Sequence, residues 1–525
     1  MTKLNPKATL RTEVVNEPTR TKNYEGGVAF TLSDKTRLYT RVATCLVGES
    51  KFYKEIDETG IITAENQDNL LLKDLAIVAE QDPEFVLKLA AYARNDLYLR
   101  SVPVVMLVEA SLNPKTKPFV RHYAPWIIQR VDELTETTAY LQAKIGNIGN
   151  KSPKGSMPAG LKKGLADSFH NFNEYQFGKY DREGLVKLKD VLKITHPVPR
   201  NEEESALFSR IKTRTLKTPE TWEVVISTKG STKEIWESII PKMPYMAILR
   251  NCRNFLEKKV SQQSIDLVVS KLTNENAVRK SKQFPFRFFS AYRELENIDS
   301  PYTSQLLTAV EAALEISVAN LPHFAGTTFE TADNSGSMGG LLSERGTVKR
   351  EDIANLFMAI SVKMADRSVS SIFGTSFKVK NFAKNNGIIA NMRSIRNDEV
   401  GSNTNAYLSF DYLLENKLSV DRIILFSDMQ CYDSRGDGRY GSSVLESFRK
   451  YKRSVNPNVY LYSIDLAGYG TAQVPENEPR VATIAGWTER ILTFIPAFEA
   501  GLSNPVMEKI ESFGKAPAKQ AEEED

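Results

Sequence analysis

The spacing of apolar residues changes once along this chain, at Pro322, and no single packing scheme suits both sides of that point. Before it, apolar residues recur three and four apart, the period of amphipathic helices. In Asn69–Glu80, Leu71, Leu72, Leu75, Val78 and Ala79 share one face. Asp82-Pro83 reads as an N-cap followed by a proline at the first helical position, and Phe85, Val86, Leu89, Ala90 and Ala93 form the stripe behind it. Ser101 is expected to cap the next helix, and Asn113-Pro114 to end it. Ser231-Thr-Lys-Glu234 has the spacing of a capping box. Ser300-Pro301 opens a last long helix with Leu307, Val310 and Leu314 on one side. Helix after helix from about Ser50 to Pro322, without a strict sequence repeat, predicts stacked helical pairs. Ile145–Gly164, rich in Gly and Lys, interrupts them as a loop, with a new helix starting at Pro158.

After Pro322 strands and helices alternate. Thr327–Ala332, Val369–Phe373, Arg422–Ser427 and Asn458–Leu466 read as strands, and Asp352–Asp366 as an apolar-faced helix. The continuous apolar run of Arg422–Ser427 fits a strand covered on both faces. Such alternation predicts a doubly wound α/β domain with a parallel sheet.

The expected organisation is a flexible arm over residues 1–22, a helical-repeat domain over 23–323, the α/β domain over 324–514 and a polar tail over 515–525. With 41% apolar and 26% charged residues the chain is globular in composition, which excludes collagen-like and disordered classes. Cys45, Cys252 and Cys431 are three widely spaced cysteines, which implies neither a disulfide framework nor a zinc site. They are expected to be small buried hydrophobes. Without an apolar start or a membrane-length apolar run, the expected location is the cytoplasm.

Net charge is +4, but it is unevenly spread. Lys151–Ser300 holds 27 Lys+Arg against 18 Asp+Glu, an excess of nine, whereas Phe324–Asp525 holds 23 against 26. Basic charge gathered in one region is the footprint of a polyanion partner. A solvated helical surface would also carry it, so charge alone does not decide.

The sharpest local signal is Asp333-Asn-Ser335-Gly-Ser337-Met338, directly after a predicted strand. Open α/β sheets place their ligands at that carboxyl edge. A carboxylate and two hydroxyls on one turn are hard oxygen donors, suited to Mg²⁺ or Mn²⁺. Thr404, in the loop Gly401–Asn405, and Asp428, at the end of Arg422–Ser427, stand at further strand ends. Asp333, Ser335, Ser337, Thr404 and Asp428 are therefore the candidate ligands of a divalent cation. No nucleophile and base accompany them in sequence, so a binding function is expected and not an enzyme. The order D-x-S-x-S, Thr, Asp resembles the metal-ion-dependent adhesion site of the von Willebrand factor A fold. That resemblance implies an open metal position which a partner's carboxylate fills.

The helical half carries a second resemblance. Met157-Pro-Ala-Gly-Leu161 through Asp167, Lys189-Asp-Val-Leu-Lys193-Ile-Thr-His196-Pro197 and Met243-Pro-Tyr-Met-Ala-Ile-Leu249-Arg250-Asn251, with Asp333–Met338, Asn403–Asn405 and Phe426–Asp428, resemble the Ro autoantigen family of TROVE-domain RNA-binding proteins. The match in order and spacing runs from about Tyr24 to Ala500. It implies a HEAT-like helical-repeat ring closed by a von Willebrand factor A-like domain, a monomeric ring without membrane attachment. It further implies small structured Y RNAs on a basic outer surface and single-stranded 3′ ends of misfolded RNAs in a central hole. RNA quality control, with an exoribonuclease tethered through RNA, is the implied setting. The rival reading is a protein–protein adaptor working through the metal site, with the helical half as scaffold; a metal-dependent hydrolase is a third.

Lys179 and His196 match the family's RNA-contact positions, and Lys189 and Lys193 lie beside them. Lys189, Lys193 and His196 are spaced so that one helix face can present all three. Where the family has a further basic residue this chain has Glu183, with Arg182 adjacent as its substitute. Arg250 and Arg253 are expected in structural ion pairs, and Phe284-Pro-Phe286-Arg-Phe288-Phe289 in the core.

Overall fold

The computed structural model describes residues 19–46, 70–145 and 156–515, apart from 24, 182, 282, 284, 320, 342–347, 396–397, 435–442, 487–489 and 502–503. The architecture is the expected one: helical repeats, then a doubly wound α/β domain.

Most helices start where the sequence sets them. The Asp82 side chain accepts from Phe85 N–H at 3.3 Å and opens the helix Pro83–Asn95. Pro158 precedes the helix Ala159–Ser168. The helix Ser101–Leu112 buries Val102, Val104, Val105, Met106, Leu107 and Val108; hidden on nearly every side, it has no polar face to show. Two caps differ from expectation. Ser101 is the first helical residue, and Arg100 before it gives no side-chain cap. In Ser231–Glu234 the cap is Thr232, whose hydroxyl accepts from Ile235 N–H. Ser231 instead accepts the indole N–H of Trp236 at 2.9 Å. A buried indole needs an acceptor, and Trp236 is 2% exposed.

In the α/β domain six strands pair. They are β3 (Phe324–Asp333), β4 (Ala365–Phe373), β5 (Phe377–Lys380), β6 (Arg422–Ser427), β7 (Tyr460–Asp465) and β9 (Val481–Ala485), in the order β5-β4-β3-β6-β7-β9. All pairs are parallel except β4 with β5. The helix expected over Asp352–Asp366 runs Arg350–Met364, and β4 begins at once with Ala365. After Ala365 come Asp366 and Arg367, exposed and polar, so the strand's start carries no apolar signal.

The arm expected over residues 1–22 ends in structure; residues 1–18 lie outside the described residues. β1 (Arg20–Lys22) pairs antiparallel with β2 (Val28–Thr31), which pairs with β8 (Thr471–Ala472) of the α/β domain. Arg20, Thr21 and Lys22 pair along an edge through their backbone, with an ion pair from Arg20 to Glu446 at 3.9 Å, and so short an edge strand leaves no hydrophobic period to read.

That hairpin explains closure. The next helix, Asp34–Ala43, is tied to β9 by Tyr39, whose hydroxyl donates to Ala485 O at 2.9 Å. From the far end of the chain, Glu511 reaches Lys35 at 3.1 Å and Lys88 at 2.8 Å. The Phe513 ring packs on Tyr92 and Trp126. At the other end of the helical run, Glu315 pairs with Lys363 at 3.1 Å, and Arg393 bonds the Tyr292 hydroxyl. First and last helices thus meet the same domain, and the ring closes through it. Among the described residues no helix is long and apolar enough to cross a membrane.

Candidate functional site

β3, β6 and β7 run parallel and end at one level: Ala332 pairs with Phe426, and Ser427 with Asp465. Their next residues therefore gather acidic side chains at the carboxyl edge. Asp333 and Asp428 are both wholly buried. Asp333 Oδ1 accepts from Ser335 N–H at 3.0 Å and Oδ2 from the Ser427 hydroxyl at 2.8 Å. The Ser335 and Ser337 hydroxyls are 3.3 Å apart. Asp428 Oδ1 accepts from Gln430 N–H at 3.2 Å, while its Oδ2 is buried with no hydrogen-bond partner.

Electrostatics mark the same place. Burial first, then the Asp428 charge, push Asp333 above the usual carboxylate range. Burial likewise raises Asp428, and the Ser337 hydroxyl, the Gln430 N–H and the Arg350 charge pull it back. Two buried carboxylates that repel each other, one with an orphaned oxygen, are relieved by a cation between them. The residues fit a divalent ion. Among the described residues no three of His, Cys, Asp and Glu converge, so an ion here would have two carboxylates and hydroxyls to bind. Such hard oxygens leave positions for water, as Mg²⁺ prefers.

Thr404 sits one loop away and is 2% exposed. Its loop lies against the motif turn: Gly336 N–H donates to Ser402 O at 3.1 Å. Gly374 permits this approach, because a Cβ there would meet Gly401 O at 2.5 Å. The Thr404 carbonyl accepts from Tyr432 N–H at 3.0 Å, joining its loop to the one after Asp428.

Three neighbours escaped the sequence reading. Asp465 ends β7 as Asp428 follows β6; it is buried, its Oδ2 is unpartnered, and the Asp428 charge helps raise it to about 6 after burial. Its place at a strand end was the signal. Arg350 donates to Ser337 O at 3.3 Å, and Glu25 raises Asp428 from a distance along the chain no local pattern marks.

The basic candidates lie on the helical half. Lys179 is in the last turn of Glu174–Tyr180, its ammonium 5.6 Å from the Tyr180 ring centre. Lys189 and Lys193 lie one turn apart on Leu188–Thr195, the latter exposed. His196 is also exposed and directly follows the helix. It is the C-cap, in left-handed conformation at φ 52° and ψ 58°. Arg182 lies outside the described residues. Glu183 pairs with Lys187, four residues on, at 2.6 Å and with the more distant Arg214 at 2.5 Å. Among the described residues Arg253 makes the expected ion pairs, with Glu257 and Glu294, and Arg250 makes none. Phe288 and Phe289 are core residues, as are Cys252 and Cys431.

The TROVE domain family matches residues 21–217 and 208–321. Telomerase protein component 1 of Mus musculus is 26% identical over 45% of this chain, and that of Rattus norvegicus 27% over 43%. The chain spans 12% of the length of each. The crystal structure of the Deinococcus radiodurans RO (RSR) protein shares the fold at a TM-score of 0.58 and 12% identity, covering 89% of this chain and 100% of that one.

Proposed function

Because the chain belongs to the TROVE-domain family of RNA-binding proteins, we propose that it holds a small structured RNA, of the Y type, on the basic face built by Lys179, Lys189, Lys193 and His196. The observation that carries this reading is the family match across residues 21–321, which contains the region of charge excess. Single-stranded 3′ ends of misfolded RNA would enter the middle of the ring, and RNA quality control is the function this supports. An exoribonuclease would be reached through the RNA and not by direct contact. The protein acts as a monomeric binding ring, not an enzyme.

Lysines neutralise phosphates without reading sequence, and His196 can stack on a base or donate to phosphate. Asp333, Ser335, Ser337, Thr404 and Asp428 would hold one Mg²⁺ or Mn²⁺. Bound there, the ion would supply a Lewis-acidic position for a carboxylate of a partner. The protein residues orient the turn: Ser427 fixes one oxygen of Asp333, and Gln430 one of Asp428.

The test is salt-dependent binding of a structured RNA. Charge-removing substitutions at Lys179, Lys189, Lys193 and His196 should weaken binding, each lost phosphate contact lowering the log–log salt slope by about 0.7–0.9. Unchanged affinity and slope would place the RNA surface elsewhere. Metal-dependent RNA cleavage that disappears in Asp333→Ala would overturn the non-enzymatic reading.

A further inference from the structure

Asp333 is gripped from behind by a chain of hydrogen bonds that ends on Gln473, a residue outside the strands of the site. The Ser427 hydroxyl donates to Asp333 Oδ2 at 2.8 Å. It accepts in turn from Met429 N–H at 3.1 Å and from Gln473 Nε2 at 3.1 Å. A serine hydroxyl has one proton and two lone pairs. With both lone pairs met by N–H groups, the single proton is left for the carboxylate, and a hydroxyl that accepts while it donates is the stronger donor. Turned the other way, Gln473 would offer Oε1 to Ser427 and compete with Asp333 for that proton. As it stands, Gln473 is 2% exposed and its Oε1 is buried with no hydrogen-bond partner. A buried acceptor left unmet costs stability, so the amide is oriented for Ser427 and not for its own satisfaction.

The N-terminal hairpin seats this amide. Gln473 directly follows β8, whose Thr471 and Ala472 pair with Thr31 and Phe30 of β2. Asn23 of the same hairpin donates Nδ2 to Cys431 O at 2.8 Å, across 408 residues. The Cys431 sulfur lies against Gln473 Nε2 and 3.6 Å from the Ser427 hydroxyl.

We propose that Gln473 is a positioning residue of the cation site, acting through Ser427 to hold the Asp333 carboxylate in the orientation that receives a divalent ion. This rests on the cation-site reading above. Ser335 N–H fixes Oδ1 and Ser427 fixes Oδ2, so the carboxylate is held at both oxygens before an ion arrives. Without the Gln473 N–H, the Ser427 hydroxyl is free to turn towards the Cys431 sulfur, and that hold is lost.

The full chain is titrated with Mn²⁺, followed by electron paramagnetic resonance, as wild type, Asp333→Ala, Gln473→Met, Gln473→Asn, Ser427→Ala and the double variant Ser427→Ala with Gln473→Met. Wild type should bind one Mn²⁺ and Asp333→Ala none. Both Gln473 variants should bind about tenfold more weakly, the order of one net hydrogen bond. Asn carries the same amide on a chain one carbon shorter, out of reach of Ser427. Their thermal transitions in metal-free buffer should stay near that of wild type, because Met also removes the unpartnered oxygen. In the Ser427→Ala background, Gln473→Met should weaken binding no further, which a merely structural role would not produce. Equal Mn²⁺ binding by wild type and Asp333→Ala would overturn the cation site, and this proposal with it. A cation site intact in wild type, with both Gln473 variants matching its affinity, would overturn the role of Gln473 alone. Additive losses in the double variant, or unfolding of both Gln473 variants, would show that Gln473 does not act through Ser427 and would also overturn it.

Discussion

Glu330 lies in the middle of β3, fully buried. The Ser368 hydroxyl donates to its Oε1 at 2.9 Å, and Ser370 lies 3.4 Å from Oε2. Burial raises its pKa from 4.5 to about 8, the hydroxyls offsetting only part. The unfolded chain ionises this group near 4.5, and the folded chain near 8. Its contribution is therefore fully present below the lower value and is lost as pH rises through the upper one, by at most about 1.4 kcal/mol per pH unit. Glu330→Gln should flatten that slope, read as urea midpoints at the two ends of the window; an unchanged difference between them would show that Glu330 does not titrate with folding. Asp333 is raised by the same burial, but its neighbour is a second carboxylate. Asp333→Ala should abolish divalent-ion binding and leave the thermal transition nearly unmoved in metal-free buffer, because it removes a repulsion along with a ligand. Calorimetry showing equal Mg²⁺ binding by both proteins would sink the assignment.

Helices in the ring are joined by packed faces and by a few buried charges. Arg94, on Pro83–Asn95, places its Nε 2.9 Å from Glu133 Oε1 on Val131–Ile145, off the line of a hydrogen bond, so the contact is an ion pair. Glu133 Oε2 accepts from the N–H groups of Gln129 and Arg130 at 2.8 and 3.0 Å, capping its own helix. Both side chains are buried. Removing Arg94 strands Glu133 in a site that already raises its pKa by burial. Arg94→Met should cost about 3–5 kcal/mol, whereas the double change Arg94→Met with Glu133→Gln should recover part of the loss. Equal losses in single and double variants, by denaturant titration, would show that helix packing and not charge burial sets the cost.

At the scale of the whole molecule, the hairpin and the Glu511 contacts at one end, and the Glu315 and Arg393 contacts at the other, bind the helical run into a closed figure. An opening bounded by helix ends should take single-stranded RNA and exclude a duplex. One structured RNA is therefore compared in three forms: with a 3′ overhang, without it, and with the overhang made double-stranded. The overhang should add affinity, and pairing it should remove the gain. Equal affinity for all three would mean that the centre of the ring is not where RNA goes.

Local pattern was enough for most of the helices and for the central strands of the sheet, and it set Asp333 and Asp428 at strand ends. Asp82 caps where it stands because capping needs only the next three residues, and Asp428 is found because an apolar strand ends just before it. The acidic row at the sheet edge follows from strand ends and parallel order, both written in short stretches of sequence. Tertiary structure alone decided the rest. It set His196 in a left-handed cap after the two lysines, and paired Glu183 with Arg214, the cap of the helix Glu202–Thr213. It also laid Asn23 against Cys431. These depend on how helices stack and where the chain's ends meet, and a contact between distant residues leaves no period in the sequence around either one.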